Sequence, residues 1–304
     1  MGRAYRPAGR AVLTAAVALG VGLTAVPAQG HQHGRSPVQG IEHCAATACH
    51  FALPPGTYDV RVTLGGDDAS STAVGGETRR ALLPETAVPA GERTVRGFTV
   101  NVRTPEGEPL GPGGTPGLDL TVGGAAPALA GIRVTPARHA RQILLIGDST
   151  VCDQPGDPYS GWGRRLPQYL RKGLSVANYA DSGESTVSYL GNPLLWDTVR
   201  PLIRHGDLTL DNDTALLVNG LGVDHPAVIR SVAADRDVPL IDLTARTKAL
   251  VESFGVEGSK ALYLYDEKRD NTHTSVHGAT LYADLVREEL VDLRLVPEGG
   301  VRVG

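Results

Sequence analysis

The stretch Gln142-Ile143-Leu144-Leu145-Ile146-Gly147-Asp148-Ser149-Thr150 decides the fold. Residues 142–146 read as a compact strand whose Ile143 to Ile146 are unbrokenly apolar. That is the pattern of a strand covered on both faces, as in a parallel sheet, and not of one with a wet side. The run stops at a tight Gly-Asp-Ser turn. Gly147 permits a sharp bend, and the Asp148 side chain is suited to local backbone hydrogen bonds that hold such a loop. In open α/β sheets, sites form beyond the carboxyl ends of strands, which is where Ser149 falls.

Downstream, helical and apolar segments alternate. Leu166 to Arg171 reads as helical and Leu174 to Tyr179 as a strand. Leu194 to Arg204 reads as a helix kinked or ended by Pro201. Asp224 and Pro226 mark a helix start before Val228 to Ala234. Val238 to Asp242 reads as another strand, followed by a helix over Thr244 to Phe254 that Gly255 ends. Gly278 to Leu293 reads as a final amphipathic helix. Strand-helix alternation predicts an α/β class domain with a parallel sheet over residues 139–304.

Upstream the character is different. Val60, Val62 and Leu64 alternate with Arg61 and Thr63. Phe98, Val100 and Val102 alternate with Thr99 and Asn101, and Leu118, Leu120 and Val122 with Asp119 and Thr121. Gly/Pro/Asp clusters punctuate these runs. Period-2 alternation between turn signals predicts a small antiparallel all-β sandwich over residues 41–138. Pro136-Ala137-Arg138 is the expected boundary.

The first residues read as an export signal over residues 1–28. Arg3, Arg6 and Arg10 precede an apolar run from Ala11 to Val26, and Val26-Pro27-Ala28 offers a cleavage site. Residues 29–40 read as a flexible lead-in. The expected mature protein is secreted, with no stable membrane association. Formal net charge is −4 over 304 residues, without a strong basic patch, which disfavours a nucleic-acid partner. Cys44 and Cys49 are close enough to pair, leaving Cys152 over. His43, Cys44, Cys49 and His50 cluster, but structural zinc sites usually show tighter spacing, so no metal is expected.

A serine hydroxyl needs a base to become a nucleophile. The candidate lies far along the chain in Asp270-Asn271-Thr272-His273, before the last helix. One loop can carry both groups: Asp270 to orient the ring, His273 to face Ser149. His277 is a competing base nearer the helix start. Gly147-Asp148-Ser149-Thr150-Val151 lacks the Gly-x-Ser-x-Gly elbow of α/β-hydrolase lipases.

Three further runs stand out: Gly161-Trp162-Gly163, Asn178-Tyr179-Ala180-Asp181-Ser182-Gly183-Glu184-Ser185-Thr186, and Asp270-Asn271-Thr272-His273-Thr274 followed by Gly278-Ala279. Together with Ile146-Gly147-Asp148-Ser149-Thr150 they resemble the SGNH (GDSL-like) hydrolases, in the rhamnogalacturonan acetylesterase branch. The resemblance spans most of Arg141 to Leu293. It implies a three-layer α/β/α domain, a Ser149, Asp270, His273 triad, and oxyanion donors from the backbone N–H groups of Ser149 and Gly183. It implies an acylated carbohydrate substrate, an acyl-enzyme mechanism and no cofactor. The β-rich segment resembles the galactose-binding-like sandwich that accompanies some members.

One block departs from that pattern. The family's Gly-x-Asn-Asp motif, whose Asn is a further oxyanion donor, has no counterpart. Asp207-Leu208-Thr209-Leu210 begins like the relevant strand, then reads Asp211-Asn212-Asp213. An internal shortening near 210–211 explains this. Asn212 is a candidate substitute donor. If no donor replaces it, the alternative is an impaired, carbohydrate-binding protein.

Overall fold

The computed structural model describes residues 40–111, 114–203, 208–211 and 224–302. The expected signal, most of the lead-in and Asn212 lie outside the described residues.

The β-rich region forms two antiparallel sheets. One has the order β1 (Cys44–Ala45), β2 (Ala48–Phe51), β7 (Leu118–Ala126), β4 (Ser70–Gly76), β5 (Arg80–Val88); the other has the order β6 (Arg93–Val102), β3 (Gly56–Gly65), β8 (Leu129–Pro136). The alternation seen in the sequence sorts residues by face. Val60, Val62 and Leu64 are buried while Arg61 is exposed. Both sheets contribute to one apolar core, in which Phe51, Leu82 and Leu118 meet Val62, Phe98 and Val134. Each such burial contributes about 1.5–3 kcal/mol. Cys44 and Cys49 pair across β1 and β2 as a disulfide, which leaves no thiolate there for a metal.

Residues after 140 build a parallel sheet of order β10 (Leu174–Asn178), β9 (Arg141–Ile146), β11 (Leu208–Asp211). Ile143 and Leu145 of β9 face a cluster with Trp162, Leu166 and Val286, the last from α6 (Val276–Asp292). Leu144 and Ile146 face a second cluster, with Tyr189 of α1 (Thr186–Gly191) and Val199 of α2 (Trp196–Val199). Burial on both faces is why residues 142–146 carry hydrophobic side chains almost without interruption.

Several local expectations are corrected. Val238–Asp242 is not a strand. Val238 is half exposed and finds no sheet edge among the described residues. Asp242 instead caps α4 (Leu243–Gly258), accepting from the Ala245 N–H at 3.0 Å and from Arg230 Nε at 2.6 Å. The chain passes Gly255 at φ 66 and resumes for one more turn, so that glycine kinks α4 and does not end it. Leu166–Tyr169 is a 3-10 turn with Pro167 near its start. The segment around Pro201 splits into α2 and a 3-10 turn, Arg200–Leu202. The helix α3 (His225–Asp235) starts at its expected cap, Asp224, which accepts from the Ala227 N–H.

The two regions meet through buried charge. Arg80 Nε donates to Asp153 Oδ2 at 2.6 Å, and both side chains are almost wholly buried (1% and 0% exposed). Arg103 approaches the same oxygen at 3.4 Å, and Asn178 Nδ2 donates to Asp153 Oδ1 at 2.9 Å. One carboxylate therefore serves two guanidiniums. Removing one partner of a buried ion pair strands the other without a counter-charge, which costs about 3–5 kcal/mol. Asp153→Ala is expected to lose stability of that order in urea denaturation. An unchanged unfolding midpoint would show that the pair is not desolvated.

Candidate active site

Ser149 sits in the turn after β9, half-buried. Asp148 Oδ1 accepts from the N–H and the hydroxyl of Thr150, both at 2.9 Å, and its carbonyl accepts from the Val151 and Cys152 N–H groups. The Ser149 carbonyl accepts from Gln154 Nε2 at 2.9 Å. The loop is thus held at both sides of Ser149, while its Oγ and its N–H have no hydrogen-bond partner among the described residues.

The two glycines of Gly161-Trp162-Gly163 explain how the following turn packs here. A Cβ at Gly161 would lie 2.3 Å from the Cys152 carbonyl oxygen, and one at Gly163 2.4 Å from that of Val151. Backbone contact this close excludes any side chain. Trp162 itself is buried among Ile143, Leu145 and Leu166, so it is a core residue under the loop.

Asp270 and His273 lie on the strand β13 (Asp270–Thr274), which follows the single turn α5 (Tyr265–Lys268) and pairs with β12 (Tyr263–Leu264) just before α6. The His273 Nδ1–H donates to Asp270 Oδ2 at 2.7 Å. Asp270 Oδ1 also accepts from the N–H groups of Thr272 and His273, at 2.8 and 3.0 Å. Burial pushes the Asp270 carboxyl up, but the His273 and Thr272 donors together outweigh it and hold it below the usual carboxylate range. The pair is tied to the serine side of the site by Thr274 Oγ1, which donates to the Ser160 carbonyl at 2.5 Å, and by Tyr159, whose ring meets that of His273 edge-on at 5.3 Å. No direct hydrogen bond joins Ser149 to His273 in this structure. Such bonds are often long in the absence of substrate. His277 lies in α6 with its ring against Phe254.

Gly183 occupies a turn after β10 at φ 81, a left-handed conformation that favours glycine. Its N–H has no partner among the described residues. The turn is anchored on each side. The Asp181 N–H donates to the Gly147 carbonyl at 3.0 Å, and the Ser182 N–H donates to Glu108 Oε2 at 2.8 Å. Ser182 Oγ is 3.4 Å from Cys152 Sγ. Burial, and next the Glu108 carboxylate, push the Cys152 thiol up, so this leftover cysteine is no nucleophile at neutral pH.

Glu108 belongs to the segment after β6, and so does Leu110, whose N–H donates to Asp181 Oδ2 at 2.7 Å. Arg79 donates to the carbonyls of Gln154 and Tyr159, both at 3.2 Å, and pairs with Asp157. The β-rich region thus holds the backbone around the serine and glycine turns. Sequence reasoning did not single out Arg79, Arg80, Glu108 or Asp153. Their only trace in the sequence is charge in short polar stretches, Glu77-Thr78-Arg79-Arg80, Gly107-Glu108-Pro109 and Asp153-Gln154-Pro155, which resemble ordinary solvated loops.

Among the described residues the site offers a serine hydroxyl with no hydrogen-bond partner, an imidazole oriented by a carboxylate, and two backbone N–H groups, of Ser149 and Gly183, without partners. No protein-family model matches the chain. Rhamnogalacturonan acetylesterase RhgT of Bacillus subtilis (strain 168) is 31% identical over 213 residues, an alignment that takes in 91% of that protein and 51% of this chain. The chain belongs to this SGNH (GDSL-like) esterase family and is a hydrolase acting on ester bonds. Among solved structures, a Bacillus subtilis protein is similar at 23% identity and TM-score 0.41, over 81% of this chain and 80% of that one. A family two carbohydrate esterase from Clostridium thermocellum, solved as an active-site mutant, is similar at 14% identity and TM-score 0.28, over 82% of this chain and 94% of that one.

Because its folded-state pKa is depressed, Asp270 adds stability that is fully present above its unfolded pKa, about 3.9, and is lost as pH falls through the lower folded value. Asp270→Ala is therefore expected to unfold at lower urea than the parent at pH 7, with the gap closing below about pH 4. A gap that widens on acidification would reverse the assigned sign.

Proposed function

We propose that this protein is a secreted carbohydrate esterase that removes acetyl or other small acyl groups from pectic polysaccharide, with Ser149, His273 and Asp270 as its triad. The Asp270–His273 pair, docked through Thr274 and Tyr159 onto the loop that follows Ser149, is the observation that carries this reading.

The chemistry follows from the roles these groups are fit for. Ser149 Oγ attacks the ester carbonyl while His273 Nε2 takes its proton. Asp270 fixes the ring tautomer and stabilises the imidazolium. The N–H groups of Ser149 and Gly183 receive the charge that develops on the carbonyl oxygen. Collapse of this intermediate expels the sugar hydroxyl, which takes the proton back from His273. Water then hydrolyses the acyl-enzyme by the same steps, returning Ser149 and releasing the acid.

The alignment with the Bacillus esterase runs over 213 residues yet occupies only 51% of this 304-residue chain. The relative therefore carries residues with no counterpart here, which supports the shortening proposed near 210–211. β8 ends at Pro136 and β9 begins at Arg141, so the change from antiparallel to parallel pairing falls at the proposed boundary near Arg138 between a galactose-binding-like sandwich and a three-layer hydrolase domain, within one compact unit over residues 37–304. Export rests on residues 1–28. Among the described residues no helix is long and apolar enough to cross a membrane.

Acetate release from acetylated pectin and from p-nitrophenyl acetate tests the proposal. The parent is expected to release acetate, and Ser149→Ala to release none while keeping its urea midpoint. Turnover persisting in a clean alanine variant would remove Ser149 from the mechanism.

A further inference from the structure

The outer face of the sheet β6-β3-β8 forms an open groove of about 810 Å³ that shares no lining residue with the Ser149 site. Arg61 of β3 stands directly opposite Arg133 of β8, and Gly97 of β6 stands opposite Arg61 on its other side. Like charges directly opposite on one sheet face destabilise the pairing. Both arginines are exposed, and neither has an acidic partner among the described residues.

The rest of the lining does not correct this imbalance. Asp59, the one carboxylate in the groove, accepts from Thr99 Oγ1 at 2.6 Å and pairs with Lys172 at 3.2 Å. Arg96, in register with the inward Val62, borders the groove, and among the described residues it donates to Thr94 Oγ1 and the Val95 carbonyl. Arg61, Arg133 and Lys172 therefore face one carboxylate that is already engaged. Beside the groove, Arg302 donates to the Gly97 carbonyl at 2.8 Å. Burial, and next the neighbouring Arg171 and Arg96, push its guanidinium down to about 10, as expected in a region of unbalanced positive charge.

We propose that this groove binds the carboxylates of an acidic, uronate-bearing polysaccharide, with Arg61 and Arg133 as the principal contacts. The inference rests on the carbohydrate esterase reading for its choice of polymer. The recognition itself rests on geometry. Guanidinium groups match carboxylates through two parallel N–H donors. Adjacent strands set their attachment points about 4.5–5.5 Å apart. Gly97 beside Arg61 and Gly131 beside Thr63 leave the neighbouring positions of the face without side chains, and the groove is open, which suits a length of extended chain rather than an enclosed small molecule. A polyanion seated here would relieve the Arg61–Arg133 repulsion and hold the polymer on the enzyme while the Ser149 site acts on it.

Affinity electrophoresis of the full chain in gels containing de-esterified polygalacturonate tests this, because that polymer carries no acyl group for the Ser149 site to act on. The parent is expected to be retarded, the retardation to fall at higher salt, and neutral galactan to cause none. Arg61→Gln/Arg133→Gln is expected to weaken retention at least tenfold, with p-nitrophenyl acetate turnover unchanged and a thermal midpoint equal to or above the parent's. Equal retention of parent and variant, equal retardation by galactan, or equal retardation by a DNA oligonucleotide of matched charge would overturn the proposal, as would an unretarded parent. Failure of the esterase reading shows separately, as absence of p-nitrophenyl acetate turnover in the parent.

Discussion

Asp153 is the constraint on which the rest of the molecule depends. It lies four residues after Ser149, is fully buried, and binds Arg80, Arg103 and Asn178 at once. A carboxylate in such a place is tolerable only because its counter-charges come with it. Those counter-charges belong to the antiparallel sheets, whereas Asp153 and Asn178 belong to the parallel sheet and its loops. The cost of separating them couples the geometry of the serine loop to the folding of the β-rich region.

The same logic extends to the turn of Gly183, the proposed oxyanion donor. Glu108 and Leu110 come from the segment after β6, yet they fix the Ser182-Gly183 turn through one accepted and one donated hydrogen bond. Donors aimed at developing charge are worth most when they need no reorganisation during the reaction. Anchoring both flanks of Gly183 supplies that rigidity without occupying the glycine N–H itself. The β-rich region is therefore part of the scaffold of the site, whatever polymer its outer face also holds.

Much of this was legible in the sequence. The apolar run 143–146, the alternation around Val60, Phe98 and Leu120, and the caps Asp224 and Ser149-side turn residues each encode a local preference that the fold keeps. The Asp270–His273 pair was legible because its spacing lies within a single short element. The strand expected at Val238–Asp242 was not a strand, because a β pattern needs a neighbouring edge and the sequence does not say whether one exists. Gly255 carried the signal of a helix end, but the chain resumed beyond it.

The sequence by itself determined most of the elements and which side chains are fit for the proposed chemistry, since turn geometry, hydrophobic period and side-chain type are local properties. Only the tertiary structure decided which charges are buried together. Arg80 is 73 residues from Asp153, and Ser182 is 74 residues from Glu108. Nothing in the composition around Arg80 distinguishes it from the exposed Arg61 or Arg133. Burial, not identity, gives each charge its role, and burial is set by the packing of distant segments.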